Sequence, residues 1–591
     1  MGGAMPSNQL EALLERARNW AAHDIDPVTK AEAERLVAQA EAGDESARLE
    51  LEESFAGRLA FGTAGLRGRL GAGPARMNRV VVSQTSAGFA AFLLERAARG
   101  EASSPPSVVI GYDARVNSDV FARDAAEIMS AAGVQVTLLP SAGPTPLVAF
   151  AVRYLESSAG IMVTASHNPP RDNGYKVYLG DADAGSQIVA PADARIAELI
   201  DSAAAQPVTE LARSSAYTIA GPELADTYVT RTASSLLAGF PVTHDGSTLN
   251  TEIPLKVVYT AMHGVGAEIA NRVFLASGLP LPIPVPEQND PDGNFPTVDF
   301  PNPEEPGALD LAYRTAREVG AELIIAHDPD ADRLAIALPH LEEEAGFRRL
   351  TGNELGLLLG WRAAERALQD AEERKVPLTG TLACTIVSSP ALRAVAADYG
   401  LDYAETLSGF KWVSRVPNLL FGFEEALGYL TQPHVVRDKD GISASADAIA
   451  MARWAKGRGT DVWGLLEEAT ERFGHFASSQ ITLRLDSMAA AADLSAQIRT
   501  SPPTAFGVRA VNETKDLLQP GLAEVPANVL RYDLADGSRV MIRPSGTEPK
   551  LKVYIDTFSE KGKPSKRRAA AERSLAELEV DVRAFLTALQ A

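Results

Sequence analysis

Short runs of apolar, β-branched residues alternate along the chain with polar or glycine-rich loops and with segments of helical periodicity. Five of these runs pass directly into a polar loop, at 107–115, 159–170, 254–266, 321–333 and 379–390. Near-continuous apolar runs are typical of strands that are buried on both faces of a sheet, and the segments 118–132 and 308–319 between them have helical spacing. This alternation predicts α/β domains with mixed, largely parallel sheets, whose ligands bind at loops beyond the carboxyl ends of the strands.

The start of the chain has a different pattern, and residues 8–54 are predicted to be helical. Leu10, Leu13 and Leu14 recur at helical spacing, and Asp26-Pro27 interrupts the pattern before a second helix. We expect these residues to form an arm packed on the first domain, without a catalytic role.

Composition along the chain indicates where domains begin and end. A small, polar stretch covers 204–222, a charge run covers 337–348, and a break at 460–475 precedes the strand-like sequence ITLRLDS. We therefore predict a helical arm followed by four domains, with the bounds 1–55, 56–215, 216–338, 339–468 and 469–591.

The overall composition is that of a globular protein and excludes several classes. Of 591 residues, 46% are hydrophobic and 23% charged, which argues against a disordered chain, collagen or a coiled-coil rod. The net charge of −21 argues against general nucleic-acid binding, because so acidic a chain repels a phosphate backbone, but it allows a local basic pocket. No apolar run is long enough to span a membrane, and the first residues lack the pattern of a secretory signal. We expect a cytoplasmic protein whose single cysteine, Cys384, is a buried strand residue.

Two motifs at predicted strand ends have residue types suited to phosphoryl chemistry. In TASHNPP, Ser166 follows an apolar run and could accept a phosphoryl group, whereas the adjacent His167 is not automatically its base. In DPDADR, aspartates at 328, 330 and 332 can point the same way in an extended loop, and their hard oxygens suit Mg²⁺ better than zinc. Taken alone, either motif could be an ordinary polar turn.

Two further motifs are suited to binding phosphate and sugar hydroxyls. RPSGTEPK combines two hydroxyls, a glycine, an arginine and a lysine, which is a suitable cradle for phosphate, although a turn before a strand at 551–555 would look similar. GFEEALGY places Glu424 and Glu425 after an apolar run, where carboxylates could accept hydrogen bonds from a sugar. The loops FGTAGLRG, SGFK and RDKDG add Arg67, Lys411 and Lys439 beside glycines.

In this order and spacing, the motifs resemble those of the α-D-phosphohexomutase superfamily, which contains the phosphoglucomutases and phosphomannomutases. The N-terminal helices, the FGTAGLRG form and the DKDGISA segment are most similar to its longer branch, which includes phosphopentomutases. The resemblance spans residues 61–550. It implies an α/β protein with four domains around a central cleft, the first three similar mixed sheets with helices and the last a smaller α+β domain.

The resemblance also implies roles for individual residues. Ser166 would carry the phosphoryl group and, with Asp328, Asp330 and Asp332, would bind one Mg²⁺. The remaining residues of the reacting end would be Arg67, His167, Lys176 and Arg333. The residues implied to contact the sugar or the phosphate that does not react are Gly409, Lys411, Glu424, Glu425, Lys439, Arg543, Ser545, Gly546 and Thr547. Lys176 could act as a base only if burial or nearby cations lowered its pKa.

These roles describe a mutase that interconverts glucose 1-phosphate and glucose 6-phosphate through a phosphoserine and a sugar bisphosphate, which is also the activator. Mannose or pentose phosphates are the alternative substrates, because Ala426 stands where relatives often carry serine and Tyr429 where some carry histidine. The second phosphate cradle at Arg543 argues against a phosphatase, and the presence of Ser166, all three aspartates and Arg543 argues against a catalytically silent sugar-phosphate binder. Small phosphosugars are the expected partners; the sequence leaves monomer and homodimer open.

Overall fold

The computed structural model describes residues 7–63, 65–237, 253–522, 525–544 and 549–590. The chain divides into two compact units. The described residues of unit 1 lie within 1–238, 254–349 and 432–449, and those of unit 2 within 253, 350–431 and 450–591. No helix of the described residues is long and apolar enough to cross a membrane.

The arm at the start of unit 1 consists of three helices: α1 (Ser7–His23), α2 (Pro27–Glu41) and α3 (Glu45–Ser54). Asp26 caps α2, as the predicted interruption requires. The sequence analysis missed a second interruption, where Gly43 takes a positive φ of 90° and Asp44 caps α3. Buried apolar side chains from all three helices form one small core.

The first sheet of unit 1 has seven strands in the order β1-β5-β4-β2-β3-β7, with β6 beside β5. The strands are β1 (Leu66–Arg69), β2 (Ser107–Tyr112), β3 (Gln135–Leu138), β4 (Ala159–Val163), β5 (Asp172–Leu179), β6 (Ser186–Gln187) and β7 (Thr218–Ile219). The helices of this region are α4 (Arg79–Ala98), α5 (Ser118–Ala131), α6 (Thr145–Tyr154), α7 (Ala192–Ala204) and α8 (Glu223–Leu237). Strands β2, β3, β4 and β7 run parallel, whereas β5 is antiparallel to β4 and β1.

The second sheet of unit 1 has five strands in the order β12-β11-β10-β8-β9. They are β8 (Val257–Thr260), β9 (Ile283–Pro284), β10 (Leu323–His327), β11 (Leu334–Pro339) and β12 (Phe347–Arg349), with helices α9 (Ala267–Ala276) and α10 (Asp310–Val319). Strands β8, β9 and β10 are parallel, and β11 and β12 continue the sheet antiparallel.

Unit 2 contains a four-stranded and a six-stranded sheet, in the orders β14-β13-β15-β16 and β17-β22-β21-β20-β19-β18. The first comprises β13 (Thr381–Thr385), β14 (Asp402–Thr406), β15 (Leu419–Glu424) and β16 (Gly428–Leu430), and the helices of unit 2 in this stretch are α11 (Gly352–Arg374), α12 (Ala391–Tyr399), α13 (Phe410–Val413) and α15 (Val462–Phe473). Helix α14 (Gly441–Gly457) begins in unit 1 and ends in unit 2. The second comprises β17 (His475–Arg484), β18 (Ala505–Phe506), β19 (Arg509–Asp516), β20 (Leu530–Leu534), β21 (Arg539–Pro544) and β22 (Lys550–Ser559), with α16 (Met488–Thr500) and α17 (Pro564–Gln590).

The predicted fold class is confirmed. Each of the five apolar runs contains a strand that is paired in parallel with a neighbour, and the two segments of helical spacing form α5 and α10. The six-stranded sheet is antiparallel throughout and packs with two helices, which is an α+β arrangement. Cys384 lies in β13 as predicted, and burial raises the pKa of its thiol to about 12.

Candidate active site

In unit 1, the loop after β4 presents Ser166 from a strained backbone. Ser166 is 1% exposed and has a φ of +52°, in the left-handed region that non-glycine residues rarely adopt. Its N–H donates to Thr164 Oγ1 at 2.8 Å, which helps to hold the turn. Such a conformation persists only where the surroundings enforce it, and strained residues of this kind cluster at functional sites.

The Arg115 side chain holds the loop in this conformation through hydrogen bonds to its carbonyl groups. This side chain, 3% exposed, donates to the carbonyls of Ser166 and Asn168 at 2.6 Å each and to two further carbonyls of the loop at 2.9 and 3.0 Å. Asp113 lies 3.4 Å from Arg115 and accepts the Thr164 hydroxyl at 2.6 Å. The sequence analysis missed both residues, although an Asp-x-Arg pair at a predicted strand end was a visible signal.

The three aspartates of DPDADR lie together at the end of β10, as their spacing predicted. Asp328, Asp330 and Asp332 are at most 1% exposed, and each offers a carboxylate oxygen within 4.8 Å of the others. The Ser166 hydroxyl donates to Asp328 Oδ2 at 2.8 Å, across 162 residues of sequence. The serine loop and the acidic loop therefore form one site.

Two buried lysines balance part of this negative charge. Lys176 Nζ lies 2.6 Å from Asp330 Oδ2 and 2.8 Å from Asp332 Oδ2, because β5 pairs with β4 beside the serine loop. Lys439 Nζ lies 3.3 Å from Asp332 Oδ2. Lys439 was predicted from the sequence to help bind the distal phosphate, and it lies instead beside the three buried aspartates.

The electrostatics of the cluster follow from this pairing. Burial lowers the pKa of Lys176, but Asp330 and Asp332 raise it by more, so that the net shift is upward. The two carboxylates therefore favour the ammonium form of Lys176, whereas a base would need a lowered pKa. Burial and the neighbouring carboxylates raise the pKa of Asp328 well above its usual range, whereas Lys176 outweighs burial and lowers that of Asp330.

The remaining predicted residues of the reacting end also converge here. His167 Nδ1 lies 3.2 Å from Ser166 Oγ, and burial together with Arg333 and Arg67 lowers its pKa well below the usual value, so the ring is neutral. Arg333 Nε lies 4.0 Å from Asp328 Oδ2 and 3.8 Å from Asp332 Oδ1. Arg67 lies in β1 opposite Gly174, two residues before Lys176.

Residues that the sequence analysis missed hold the acidic loop in place. Thr145 donates its hydroxyl to Asp330 Oδ2 at 2.6 Å and its backbone N–H to the Asp330 carbonyl at 2.9 Å. His327 lies between the Tyr259 hydroxyl, 3.0 Å away, and the Gly441 carbonyl, 2.9 Å away, and burial lowers its pKa to about 4. A Cβ on Gly264 would lie 2.4 Å from the backbone of the loop, so only glycine permits this approach.

The acidic loop fits a divalent cation such as Mg²⁺. The Oδ1 atoms of Asp330 and Asp332 are buried and have no hydrogen-bond partner within the described part of the chain. Buried carboxylate oxygens are costly unless they are paired or coordinate a metal, and an all-oxygen donor set is what Mg²⁺ prefers.

Apart from Lys439, the described residues predicted to contact the sugar and the distal phosphate belong to unit 2. Glu424 ends β15, Lys411 is the second residue of α13, which Gly409 precedes, and Arg543 lies half-buried in β21. The Oε2 atom of Glu425 accepts hydrogen bonds from Ser388 at 2.9 Å and from Thr385 at 3.2 Å. Ser545, Gly546 and Thr547 lie outside the described residues.

Comparison with known families assigns all four domains. Models described as phosphoglucomutase/phosphomannomutase alpha/beta/alpha domains I, II and III match residues 58–207, 240–341 and 351–473, and the C-terminal domain model of the same family matches 506–565. The chain belongs to this family. Its members are isomerases that move a phosphoryl group within a sugar phosphate.

Individual relatives span almost the whole chain. A probable phosphomannomutase of Haemophilus influenzae is 47% identical over 86% of this chain and 98% of its own length. A phosphopentomutase of Mus musculus is 32% identical over 93% of this chain and 90% of its own length. A crystal structure of a phosphoglucomutase/phosphomannomutase family protein from Burkholderia thailandensis has the same fold, with a TM-score of 0.65 at 21% identity over 90% of this chain and 98% of its own length.

Proposed function

We propose that this enzyme interconverts glucose 1-phosphate and glucose 6-phosphate through a phosphoserine at Ser166 and a glucose bisphosphate. The observation that carries the proposal is the contact of the Ser166 hydroxyl with Asp328 at 2.8 Å, inside a buried cluster of three carboxylates. Lys176, Lys439 and Arg333 all have a nitrogen within 4.0 Å of that cluster.

The charges of this cluster suit phosphoryl transfer. A phosphoserine adds a charge of about −2, and Asp328, Asp330 and Asp332 are the residues that would hold Mg²⁺ beside it. When bound, the ion supplies positive charge that stabilises the transferring phosphoryl group. Lys176, held as an ammonium, then orients two of the aspartates and adds further positive charge at the reacting end.

The proposed cycle has two transfers that mirror each other. In the first, the bond between phosphorus and Ser166 Oγ breaks while a bond to a free sugar hydroxyl forms, and the proton of that hydroxyl ends on Ser166 Oγ. The bisphosphate then presents its other phosphate, whose bond to the sugar breaks while the bond to Ser166 Oγ forms again, and the serine proton ends on the sugar oxygen that has lost its phosphate. The neutral ring of His167, 3.2 Å from Ser166 Oγ, is a suitable hydrogen-bond acceptor for the hydroxyl of the unphosphorylated serine.

A mutase needs a second place that holds the phosphate that does not react. We assign that role to Arg543 together with Ser545, Gly546 and Thr547, with Lys411 and Gly409 as neighbouring contacts. Glu424 is the residue we assign to reading the sugar hydroxyls. A phosphatase would need no such second set, so these residues favour a mutase.

Two other sugars are specific alternatives. A mannose phosphate is supported by the Haemophilus relative, which is named a probable phosphomannomutase. A pentose phosphate is supported by the mouse phosphopentomutase and by Ala426. Ala426 belongs to the segment GFEEALGY (residues 422–429), here called the sugar loop, and it lacks the hydroxyl that relatives with serine have at this position.

The test is ³¹P NMR of the purified protein with Mg²⁺, a trace of glucose 1,6-bisphosphate and, in separate samples, the 1-phosphates of glucose, mannose, ribose and deoxyribose. We expect the glucose 6-phosphate signal to grow fastest and to be absent with Ser166→Ala. The matched control is Ser86→Ala, a buried serine of α4 that bonds Val82 and Tyr175 instead. Faster conversion of another sugar would reassign the substrate, and release of inorganic phosphate would identify a phosphatase.

A further inference from the structure

The sugar loop of unit 2 is held by a buried serine that none of the roles above includes. Ser388, which is 0% exposed, lies in the loop after β13. Its Oγ donates to Glu425 Oε2 at 2.9 Å and accepts the Glu425 N–H at 3.0 Å. Thr385 Oγ1 lies 2.8 Å from the same hydroxyl. One hydroxyl therefore fixes both the backbone and the carboxylate of Glu425.

The carbonyl of Ser388 is bound from the C-terminal sheet. Arg539, at the start of β21 and 4% exposed, donates to this carbonyl through one nitrogen. Its other nitrogens donate to Asp556 Oδ2 at 2.6 Å and to Glu405 Oε1 at 3.1 Å. A buried guanidinium with all of its nitrogens engaged has little freedom to move, so the contact with Ser388 is well defined.

A buried apolar cluster also joins the loop that contains Ser388 to the C-terminal sheet. Ile386 and Val387 of the Ser388 loop share a buried cluster with Met541 of β21 and Tyr554 of β22. Arg543 also belongs to β21, four residues beyond Arg539, which corresponds to about 13 Å along a strand. The strand that connects to the sugar loop at one end therefore bears the proposed distal phosphate ligand at the other.

We infer that Ser388 is a positioning residue that fixes the sugar loop through Glu425 and links it to the strand bearing Arg543. This inference rests on the proposed function. The link sets the separation between the residue that reads hydroxyls, Glu424, and the residue that binds the distal phosphate. That separation distinguishes sugars of different length, so Ser388 contributes to the choice between a hexose and a pentose phosphate.

The test compares Ser388→Ala with Ser389→Ala. Ser389 is the neighbouring serine, 2% exposed, whose hydroxyl accepts the Ala391 N–H at 3.3 Å and forms no hydrogen bond with Glu425 in the described part of the chain. For each variant, kcat/KM is measured with glucose 1-phosphate and with ribose 1-phosphate, and binding of glucose 6-phosphate and ribose 5-phosphate is measured by calorimetry. We expect Ser388→Ala to reduce the ratio of kcat/KM for the better sugar to kcat/KM for the poorer sugar by about tenfold. Ser389→Ala should leave this ratio unchanged.

A double-mutant cycle separates positioning from a general loss of structure. In a Glu425→Gln background, Ser388→Ala should change the ratio by less than twofold, because its effect passes through Glu425. Arg539→Lys provides a second route to the same link, and it should lower the ratio in the same direction even if Ser388→Ala does not fold. An unchanged ratio in Ser388→Ala and Arg539→Lys, or equal effects of the two serine variants, would overturn the inference. Wild-type protein that converts none of the four 1-phosphates would instead refute the proposed function, and the calorimetric ratio would still decide the inference.

Discussion

Replacement of Arg115 by lysine tests whether a buried guanidinium holds the serine loop in its reactive conformation. Arg115 donates to four carbonyl oxygens of that loop, at 2.6, 2.6, 2.9 and 3.0 Å. A lysine ammonium has a single nitrogen with three N–H donors. It cannot reach all four carbonyls, because they are arranged around the planar guanidinium of the arginine. The variant therefore leaves at least one of these carbonyls without its present donor and weakens the ion pair with Asp113, which keeps the hydrogen bonds from Thr164 and Ser118.

The magnitude follows from the burial of these groups. Each buried acceptor left unsatisfied costs about 1–3 kcal/mol, and disrupting a buried ion pair costs about 3–5 kcal/mol. We take about 3–5 kcal/mol as the loss in the free energy of local opening, because the fourfold contact and the ion pair with Asp113 are weakened together. At about 1.4 kcal/mol per factor of ten, the loop should open roughly a hundredfold to a few thousandfold more often.

Amide hydrogen exchange measures that opening directly. The N–H groups of Asn168 and Asp172 donate within the loop, to Ala165 and Pro169 at 3.0 Å each, and they should lose protection in Arg115→Lys. Phosphorylation of Ser166 by glucose 1,6-bisphosphate, followed by intact mass, should slow by at least about a hundredfold, as expected for a misplaced reacting atom.

The control is Arg123→Lys on α5. That arginine is 56% exposed and lies 3.7 Å from Asp119, so its replacement should change neither readout. If Arg115→Lys retained wild-type protection at Asn168 and wild-type phosphorylation of Ser166, the argument that the guanidinium enforces the strained serine would be refuted.

Three further predictions concern other parts of the molecule. Lys176→Met removes the cation that contacts two buried aspartates, so Mg²⁺ should raise the unfolding temperature of the variant more than that of the wild type; an equal rise would contradict this assignment. Glu405 has a lowered pKa, because three arginines outweigh its burial, and its contribution to stability is therefore present above about pH 4.5 and lost as the pH falls. Glu405→Gln should destabilise the protein by about 3 kcal/mol at pH 7 and by clearly less at pH 4 in denaturant titrations. Gly264→Ala should reduce turnover by about a hundredfold, because its Cβ would lie 2.4 Å from the acidic loop, whereas Gly143→Ala, with 3.8 Å to its nearest neighbour, should retain activity.

Much of the fold was readable from local pattern. The apolar runs predicted the central parallel strands because a strand buried on both faces must be apolar nearly throughout. Asp26 and Pro27 marked a helix boundary through capping and the missing proline N–H, whereas the second boundary, at Gly43 and Asp44, was overlooked. The predicted domain bounds stay predictions.

The chemistry-bearing residues were readable for a related reason. Asp328, Asp330 and Asp332 lie within five consecutive positions, so their spacing in an extended loop already placed three carboxylates together. Ser166 was recognisable from its motif and from its place after an apolar run. Each of these features depends only on residues that are close together in the sequence, so it can be recognised without the tertiary structure.

The partners of those residues were decided by tertiary structure alone. Thr145 and Asp330 are 185 residues apart, Lys176 and Asp332 are 156 apart, and Arg539 reaches the Ser388 carbonyl across 151 residues. No periodicity or spacing connects such positions, because the contact depends on which strands are neighbours and on where their loops end. The sequence by itself thus indicated which groups are the candidates for the chemistry, whereas the packing of the sheets decided which charges offset them, which carboxylates raise the pKa of Lys176, and which buried side chains keep the loops in place.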